Sequence, residues 1–331
     1  MIATIATIFQ RAVMQGIPLL FGSTGEILTE KSGNLNLGIP GIMYVGAISG
    51  VAGSFIYENS LSNPELISPV WGILIPLICC IIGAGLMGLV YCFLTVTLRA
   101  NQNVTGLALT TFGIGIGNFF GGSLISITKS DVPSISLNAT SGLFRTTIPL
   151  GDKVNIFEKM FLSYGFLAYL AIIIALVATY VLNRTRMGLH LRAVGENPAT
   201  ADAAGINVSK YKYLSTCIGS SIAGLGGLYY VMDYANGVWS NNAFGDRGWL
   251  AIALVIFAVW KPSMAILGSI LFGALYVIPH YIPGISITLI KLFEMLPYGV
   301  TILVLVLTSV RRKRETQPPQ HLGLPYFREE R

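Results

Sequence analysis

The sequence is poor in charged residues. Only 11% of its 331 residues are Asp, Glu, Lys or Arg, whereas a soluble domain carries about 25%. Hydrophobic residues make up 53% of the chain, and its mean hydropathy is +0.68. This composition excludes a disordered chain and argues against a water-soluble enzyme of this length.

Motifs for several common chemistries are also missing. The chain contains no G-x-x-x-x-G-K-[ST] phosphate loop, no H-E-x-x-H and no G-x-S-x-G. Its three histidines are far apart, and its four cysteines lie in apolar runs without zinc-like spacing. We therefore expect no phosphate-loop ATPase, no metal site and no cofactor.

Long uncharged runs dominate what is present. A bilayer-spanning helix needs roughly 20 apolar residues. The candidate segments are Ala12–Gly25, Ser32–Tyr57, Val70–Leu98, Ala100–Thr128, Met160–Asn183, Tyr213–Met232, Gly248–Trp260, Pro262–Ile290 and Met295–Val310. The sequence thus predicts an all-α, polytopic bundle with about nine membrane segments, of which Gly248–Trp260 is too short for a comfortable full span.

The distribution of Lys and Arg predicts the orientation. With the N-terminus outside and the C-terminus inside, twelve basic residues lie on the inner side and five on the outer side, as the positive-inside rule requires. This topology gives a membrane domain over 1–314 with an outer loop at about 129–159 and an inner loop at about 184–211. A cytoplasmic tail covers 315–331.

The inner loop carries a short helix signal. Asn197 is a good N-cap residue and Pro198 suits the first turn. The alanine-rich stretch that follows favours helix, and Gly205 ends it. The pattern predicts a two-turn helix parallel to the membrane; an ordinary amphipathic connector is the alternative.

Four motifs resemble one family. Gly188–Pro198, with Ala203–Ile206, resembles the coupling loop of permease subunits of ABC importers of the branched-chain amino acid and simple-sugar type, most closely the nucleoside members. Glu26–Gly38 is similar to their E-x-S-G-x-x-N-L-G signature, Asn101–Leu109 to N-Q-x-x-x-G-L-A-L, and Leu322–Tyr326 to the end of the nucleoside subgroup. Two residues depart from the family pattern: Pro40 replaces a common Glu, and Thr110 a common Asn.

The resemblance implies several partners. A separate ABC ATPase would bind the ATP, a second permease would complete a heterodimer, and a lipid-anchored extracytoplasmic binding protein would deliver a nucleoside-like solute. The chain would be a multi-pass protein of a prokaryotic cell membrane that binds no nucleic acid. The residues expected to couple it to the ATPase are Glu196, Asn197, Pro198, Ala199, Ala203, Ala204 and Gly205.

Polar residues at membrane depth suggest a solute path. Such a path for a nucleoside needs amides and hydroxyls, and the candidates are Asn34, Asn36, Asn101, Gln102, Asn103 and Thr105. Asn34-x-Asn36 lies between glycines and predicts an interrupted helix of the kind that borders transport sites. The alternative is that these residues cap helices near the inner interface. Glu26 is expected to pair with Lys31 or Arg99, or to line the inner vestibule.

Other functions remain open at this point. A permease of this class could carry a simple sugar or a riboflavin-like solute. An ATP-independent secondary transporter or channel is a further alternative, although few intramembrane carboxylates are available for ion coupling. A membrane-embedded enzyme is disfavoured because His, Asp and Glu are scarce at any one membrane depth.

Overall fold

The computed structural model describes residues 2–61, 67–128, 134–147, 160–311 and 317–328. In chain order its helices are α1 (Ile2–Glu30), α2 (Ile39–Ser60), α3 (Pro69–Cys92), α4 (Gln102–Thr128), α5 (Asn138–Phe144), α6 (Phe166–Arg184), α7 (Arg186–Glu196), α8 (Pro198–Ala203), α9 (Val208–Tyr229), α10 (Arg247–Phe257), α11 (Pro262–Val277), α12 (Ile287–Glu294) and α13 (Leu296–Arg311). The two short strands are β1 (Ile135–Ser136) and β2 (Val238–Trp239). The predicted all-α, polytopic class is confirmed.

Eight helical segments in the described residues are long and apolar enough to cross a bilayer. The seventh predicted segment, Gly248–Trp260, corresponds to α10, which has 11 residues and a length of about 16 Å at 1.5 Å per residue. A bilayer core is about 30 Å thick. The structure therefore confirms that this segment is too short to span a bilayer as a single helix.

One predicted boundary is wrong. The run Pro262–Ile290 was expected to form one segment, but α11 ends at Val277, a 3-10 turn follows over Ile278–Tyr281, and the next helix begins at Ile287. The physical reason for the end of α11 is Pro279, which follows the C-cap Ile278 and lacks the backbone donor that a helix needs. The Pro283-Gly284 pair, with Gly284 at a φ of +74°, keeps the next residues out of a helix. The last span accordingly covers Ile287–Val310.

Helix α1 lies at the centre of the bundle. It packs against α9, α11, α10 and α6, while α2 packs against α3, α9 and α4. Close contact needs small residues, as at Gly46, where an added Cβ would lie 2.6 Å from the Cα of Gly224. In contrast, α3, α4 and α13 leave most of their surface exposed and apolar.

The two ends of the bundle differ. One end, here termed the coupling end, holds α7 and α8. The opposite end holds β1 and β2, which pair antiparallel with Ile135 opposite Trp239. The predicted outer loop at 129–159 is described only over 134–147, where it forms a strand and α5 rather than a plain loop; the rest of it lies outside the described residues.

Candidate functional site

The chain breaks its helical course between α1 and α2. Helix α1 ends at Glu30 and α2 begins at Ile39, with Gly33 at a φ of +87°. Residues 34–36 between them adopt no helical structure. The interruption predicted around Asn34-x-Asn36 is confirmed, and we call residues 31–38 the break.

Glu26 holds the break against the last turns of α1. Its Oε1 accepts a hydrogen bond of 3.0 Å from the backbone N–H of Asn36. The expected pairing of Glu26 with Lys31 or Arg99 is wrong, because the chain folds back after Glu30 and brings a backbone donor to the carboxylate instead. Arg99 places its guanidinium 4.8 Å from the centre of the Phe327 ring.

Three neighbouring helices also bind the break. Asn34 donates from Nδ2 to Thr216 Oγ1 of α9 at 3.0 Å, and the hydroxyl of Tyr91 in α3 donates to the Leu35 carbonyl at 2.6 Å. From α4, Gln102 Oε1 accepts from Leu35 N–H at 2.7 Å, and Thr110 Oγ1 donates to the Leu37 carbonyl at 2.7 Å. The non-helical backbone is therefore satisfied inside the protein, as membrane depth demands.

Some polar atoms near the break have no partner in the structure. Asn34 Oδ1, Asn36 Nδ2 and Glu26 Oε2 are buried and make no hydrogen bond. Burying an unpaired polar atom costs about 1–3 kcal/mol. The break therefore contains buried polar atoms whose hydrogen-bonding capacity is not used.

The predicted pathway residues divide into two groups. Asn34, Asn36 and Gln102 meet at the break and are buried, and Thr105 is 8% exposed. Asn101 and Asn103 lie exposed at the start of α4, where Asn101 Oδ1 caps the helix by accepting from Val104 N–H at 3.1 Å. Asn36 likewise bonds Gly38 N–H at 2.9 Å in front of α2, so the capping alternative describes part of this set.

The short helix predicted in the inner loop is confirmed. Helix α8 covers Pro198–Ala203, and its N-cap Asn197 accepts from Thr200 N–H at 3.0 Å. Gly205 follows it with a φ of +83°, the conformation typical of a helix stop. Ala203, Ala204 and Gly205 are exposed, Glu196 and Ala199 are half-buried, and Pro198 is buried. The preceding helix α7 was not predicted.

The end of α7 touches the break directly. A Cβ added to Gly195, the penultimate residue of α7, would lie 3.0 Å from the carbonyl carbon of Lys31 and 3.2 Å from Gly33 N. Burial lowers the pKa of the neighbouring Lys31 amine, while the carboxylate of Glu196 opposes that shift. The end of α7 therefore packs on the break with no intervening side chain.

The C-terminal residues 317–328, here called the tail strap, cross this contact. The backbone N–H of His321 donates to the Gly195 carbonyl at 3.0 Å, and that of Gly323 donates to the Gly33 carbonyl at 3.2 Å. Gln102 Nε2 donates to the Leu324 carbonyl at 3.3 Å. The tail strap therefore joins α7, the break and the start of α4.

The tail strap also reaches α8. The Tyr326 hydroxyl donates to Asp202 Oδ2 at 2.9 Å, and Arg328 Nε donates to the same oxygen at 3.1 Å. Tyr326 and Arg328 belong to the predicted cytoplasmic tail, and their contacts with Asp202 were not predicted. The motif Leu322–Tyr326 was the only signal that could have indicated them, since a tail with a family motif is expected to bind something.

A second polar group was missed. Toward the opposite end, the Tyr44 hydroxyl donates to Asn118 Oδ1 at 2.5 Å and accepts from Asn242 N–H at 2.8 Å. Asn118 Nδ2 donates to Asn242 Oδ1 at 2.9 Å, and the Trp239 ring lies 5.0 Å from that of Tyr44. An asparagine in the middle of an uncharged run is the signal that could have found this group.

Comparison with known proteins identifies the family. Residues 8–305 match the family described as "Branched-chain amino acid transport system / permease component". The chain is 33% identical over 309 residues to the nucleoside ABC transporter permease protein NupC of Lactococcus lactis, covering 92% of each chain. It is 27% identical over 332 residues to the guanosine ABC transporter permease protein NupQ of Bacillus subtilis, covering 99% of this chain and 98% of the relative.

A third relative is named for a different solute. The putative glucose ABC transporter permease protein TsgC13 of Haloferax volcanii is 33% identical over 270 residues, which cover 82% of this chain and 76% of the relative. All three relatives are named as permease proteins of ABC transporters, and none is named as an enzyme. The chain therefore belongs to the family of branched-chain amino acid transport permease components, as a membrane-spanning permease subunit of an ABC importer.

Proposed function

We propose that this permease forms half of a heterodimeric pore that imports nucleosides across the cell membrane of a prokaryote. The names of NupC and NupQ support the substrate class. The coupling end faces the cytoplasm, where it meets the ABC ATPase that binds ATP. A lipid-anchored solute-binding protein delivers the nucleoside at the opposite end.

The observation that carries this proposal is the packing of Gly195 on the break. Helix α8 follows directly after α7 and exposes Ala203, Ala204 and Gly205. These residues offer a smooth surface to the ATPase, while Asn197 and Pro198 fix the start of the helix. Because no flexible side chain separates Gly195 from the break, a rigid movement of α7 and α8 displaces the break as well.

The solute path lies beside the break in this proposal. The unpartnered amide atoms of Asn34 and Asn36 would gain partners when the break moves, and Gln102 would follow because it bonds Leu35. Asn101, Asn103 and Thr105 on the first turns of α4 would form the cytoplasmic exit. Alternating access then amounts to moving the break between two packed arrangements.

Reconstitution tests the proposal. The chain is placed in liposomes with its partner permease, the ATPase and the binding protein, and uptake of radiolabelled guanosine, uridine, glucose and riboflavin is measured. We expect ATP-dependent uptake of the nucleosides, abolished when the ATPase carries an inactive phosphate loop. Uptake driven by an ion gradient in liposomes that contain this chain alone would contradict the proposal and favour a secondary transporter.

The same assay addresses the sugar alternative, which the name of TsgC13 favours. Titration of the isolated binding protein with the same four solutes gives an independent measurement of selectivity. Saturable glucose binding without nucleoside binding would assign the chain to a sugar importer and leave its family unchanged.

A further inference from the structure

A polar cavity lies at the opposite end of the bundle, between α1, the end of α9 and α11. Its volume is about 600 Å³, within the range of roughly 300–1,000 Å³ found for small-molecule sites. Residues at its wall include Gln10, Arg11, Gln15, Tyr234, Tyr276 and His280. None of the described lining residues is acidic.

Gln15 reaches the cavity from the middle of α1. It lies fifteen residues before the end of that helix at Glu30, which corresponds to about 22 Å along the helix axis. Its side chain is 4% exposed, and its Oε1 has no hydrogen-bond partner. An unpaired amide oxygen at this depth is costly, and a ligand in the cavity would supply the missing donor.

Arg247 contacts three tyrosine rings at and behind the wall of the cavity. The guanidinium of Arg247 lies 4.4 Å from the ring centre of Tyr230, 5.4 Å from that of Tyr234 and 5.8 Å from that of Tyr276. Tyr230 and Tyr234 also stack with their ring centres 5.3 Å apart. Cation–π contacts of this kind fix aromatic side chains, so Tyr234 and Tyr276, which line the cavity, are held in place from behind by Arg247 and Tyr230.

The chemistry of the wall selects a ligand class. Carboxamides combine a donor and an acceptor, as the edge of a nucleobase does. Aromatic side chains favour a planar ring, and the absence of a carboxylate among the described lining residues disfavours a cation. A free sugar would satisfy the amides but has no planar ring to place against the tyrosines.

We propose that this cavity is a nucleoside-binding site at the outer end of the permease, in which Gln15 bonds the base edge and the tyrosines contact the base. The inference rests on the proposed function, because it names where the imported solute first binds. Gln10 lies nearer the start of α1, where it can contact the ribose hydroxyls, while the guanidinium of Arg11 lies 5.8 Å from the ring centre of Tyr281.

Protection from labelling tests the site without relying on transport rates. Gln10→Cys is introduced into the assembled transporter after the four native cysteines have been replaced by serine or alanine, and it is labelled with a membrane-impermeant maleimide. We expect saturating guanosine to slow labelling at least about fivefold, whereas ribose and glucose leave the rate unchanged. Protection by ribose alone would overturn the assignment of a base site.

Two matched variants test the role of Gln15. Gln15→Leu removes the amide at nearly constant size, and we expect it to raise the KM for guanosine about tenfold, the change for one lost hydrogen bond. Thr24→Val is the control, because Thr24 lies on the same helix, is 1% exposed and also has an unpartnered hydroxyl, but does not line the cavity. We expect it to leave KM within about twofold.

The outcomes separate this inference from the proposed function. A transporter that imports guanosine but shows neither protection at Gln10→Cys nor a KM change in Gln15→Leu would overturn the site and leave the function standing. A transporter that imports no nucleoside at all would overturn the proposed function and this inference together.

Discussion

Gly195 and Gly33 meet backbone to backbone, and a Cβ added to Gly33 would lie 3.4 Å from the Cα of Gly195. The two residues belong to different segments, since Gly195 precedes the helix proposed to contact the ATPase and Gly33 lies in the break between α1 and α2. Their contact joins the end of α7, which α8 follows, to the segment that holds Asn34 and Asn36. It makes the coupling geometry sensitive to a single methyl group.

The first prediction concerns Gly195. Gly195→Ala places a Cβ against the Lys31 carbonyl, so the backbone must shift, and overpacking of this kind costs about 1–3 kcal/mol. We expect a lower thermal unfolding temperature of the purified permease and a loss of most ATP-driven uptake. Gly142→Ala is the control, because a Cβ at Gly142 meets no atom within 4 Å. Equal behaviour of the two variants would contradict the importance of the contact.

The second prediction concerns the exposed surface of α8. Ala203→Trp adds bulk to an exposed alanine, so the permease should fold with its normal unfolding temperature but bind its ATPase poorly. Copurification of the ATPase with the tagged permease measures the effect, and we expect a loss of at least about tenfold. Asn59 is exposed at the C-terminal end of α2, far along that helix from the break. Asn59→Trp should therefore leave copurification unchanged. Full retention of the ATPase by Ala203→Trp would argue against α8 as its docking helix.

The capped helix was predictable because its determinants are local. The bond from Thr200 N–H to Asn197 Oδ1 spans three residues, and Pro198 and Gly205 act through their own backbone preferences. The same holds for the interrupted helix at Asn34-x-Asn36. Patterns of this kind can be interpreted without any knowledge of how the rest of the chain folds.

Long-range contacts could not be predicted in this way. Gln102 bonds a carbonyl 222 residues away in the tail strap, and no periodicity or motif specifies that partner. Glu26 shows a related failure: proximity in sequence suggested Lys31, but the chain turns back after Glu30 and presents the N–H of Asn36. The path of the backbone determines which group reaches Glu26, and a local residue pattern does not specify that path.

The third prediction distinguishes the roles of Glu26. Its Oε1 is the acceptor for Asn36 N–H, and the side chain is fully buried. Glu26→Gln keeps an acceptor and should retain the fold, whereas Glu26→Leu leaves a buried donor unpaired and should cost about 1–3 kcal/mol of unfolding free energy. Thermal unfolding in detergent measures both variants. If Glu26→Gln proved as unstable as Glu26→Leu, the hydrogen bond to Asn36 N–H would not explain how Glu26 holds the break.

The fourth prediction concerns the tail strap. Asp202 accepts from both Tyr326 and Arg328, so Asp202→Ala should release the end of the tail strap from α8. Because each hydrogen bond contributes only about 0.5–1.5 kcal/mol, we expect the fold to persist while α8 moves with less effect on the break and on Gln102. The measured consequence is more ATP hydrolysed per nucleoside imported, with the ATPase still bound. The matched control is Ser209→Ala, because Ser209 is exposed and lines the same surface cavity as Asp202. An unchanged ratio of hydrolysis to transport in Asp202→Ala would show that the tail strap is not part of the coupling path, and that Gly195 alone connects α8 to the break.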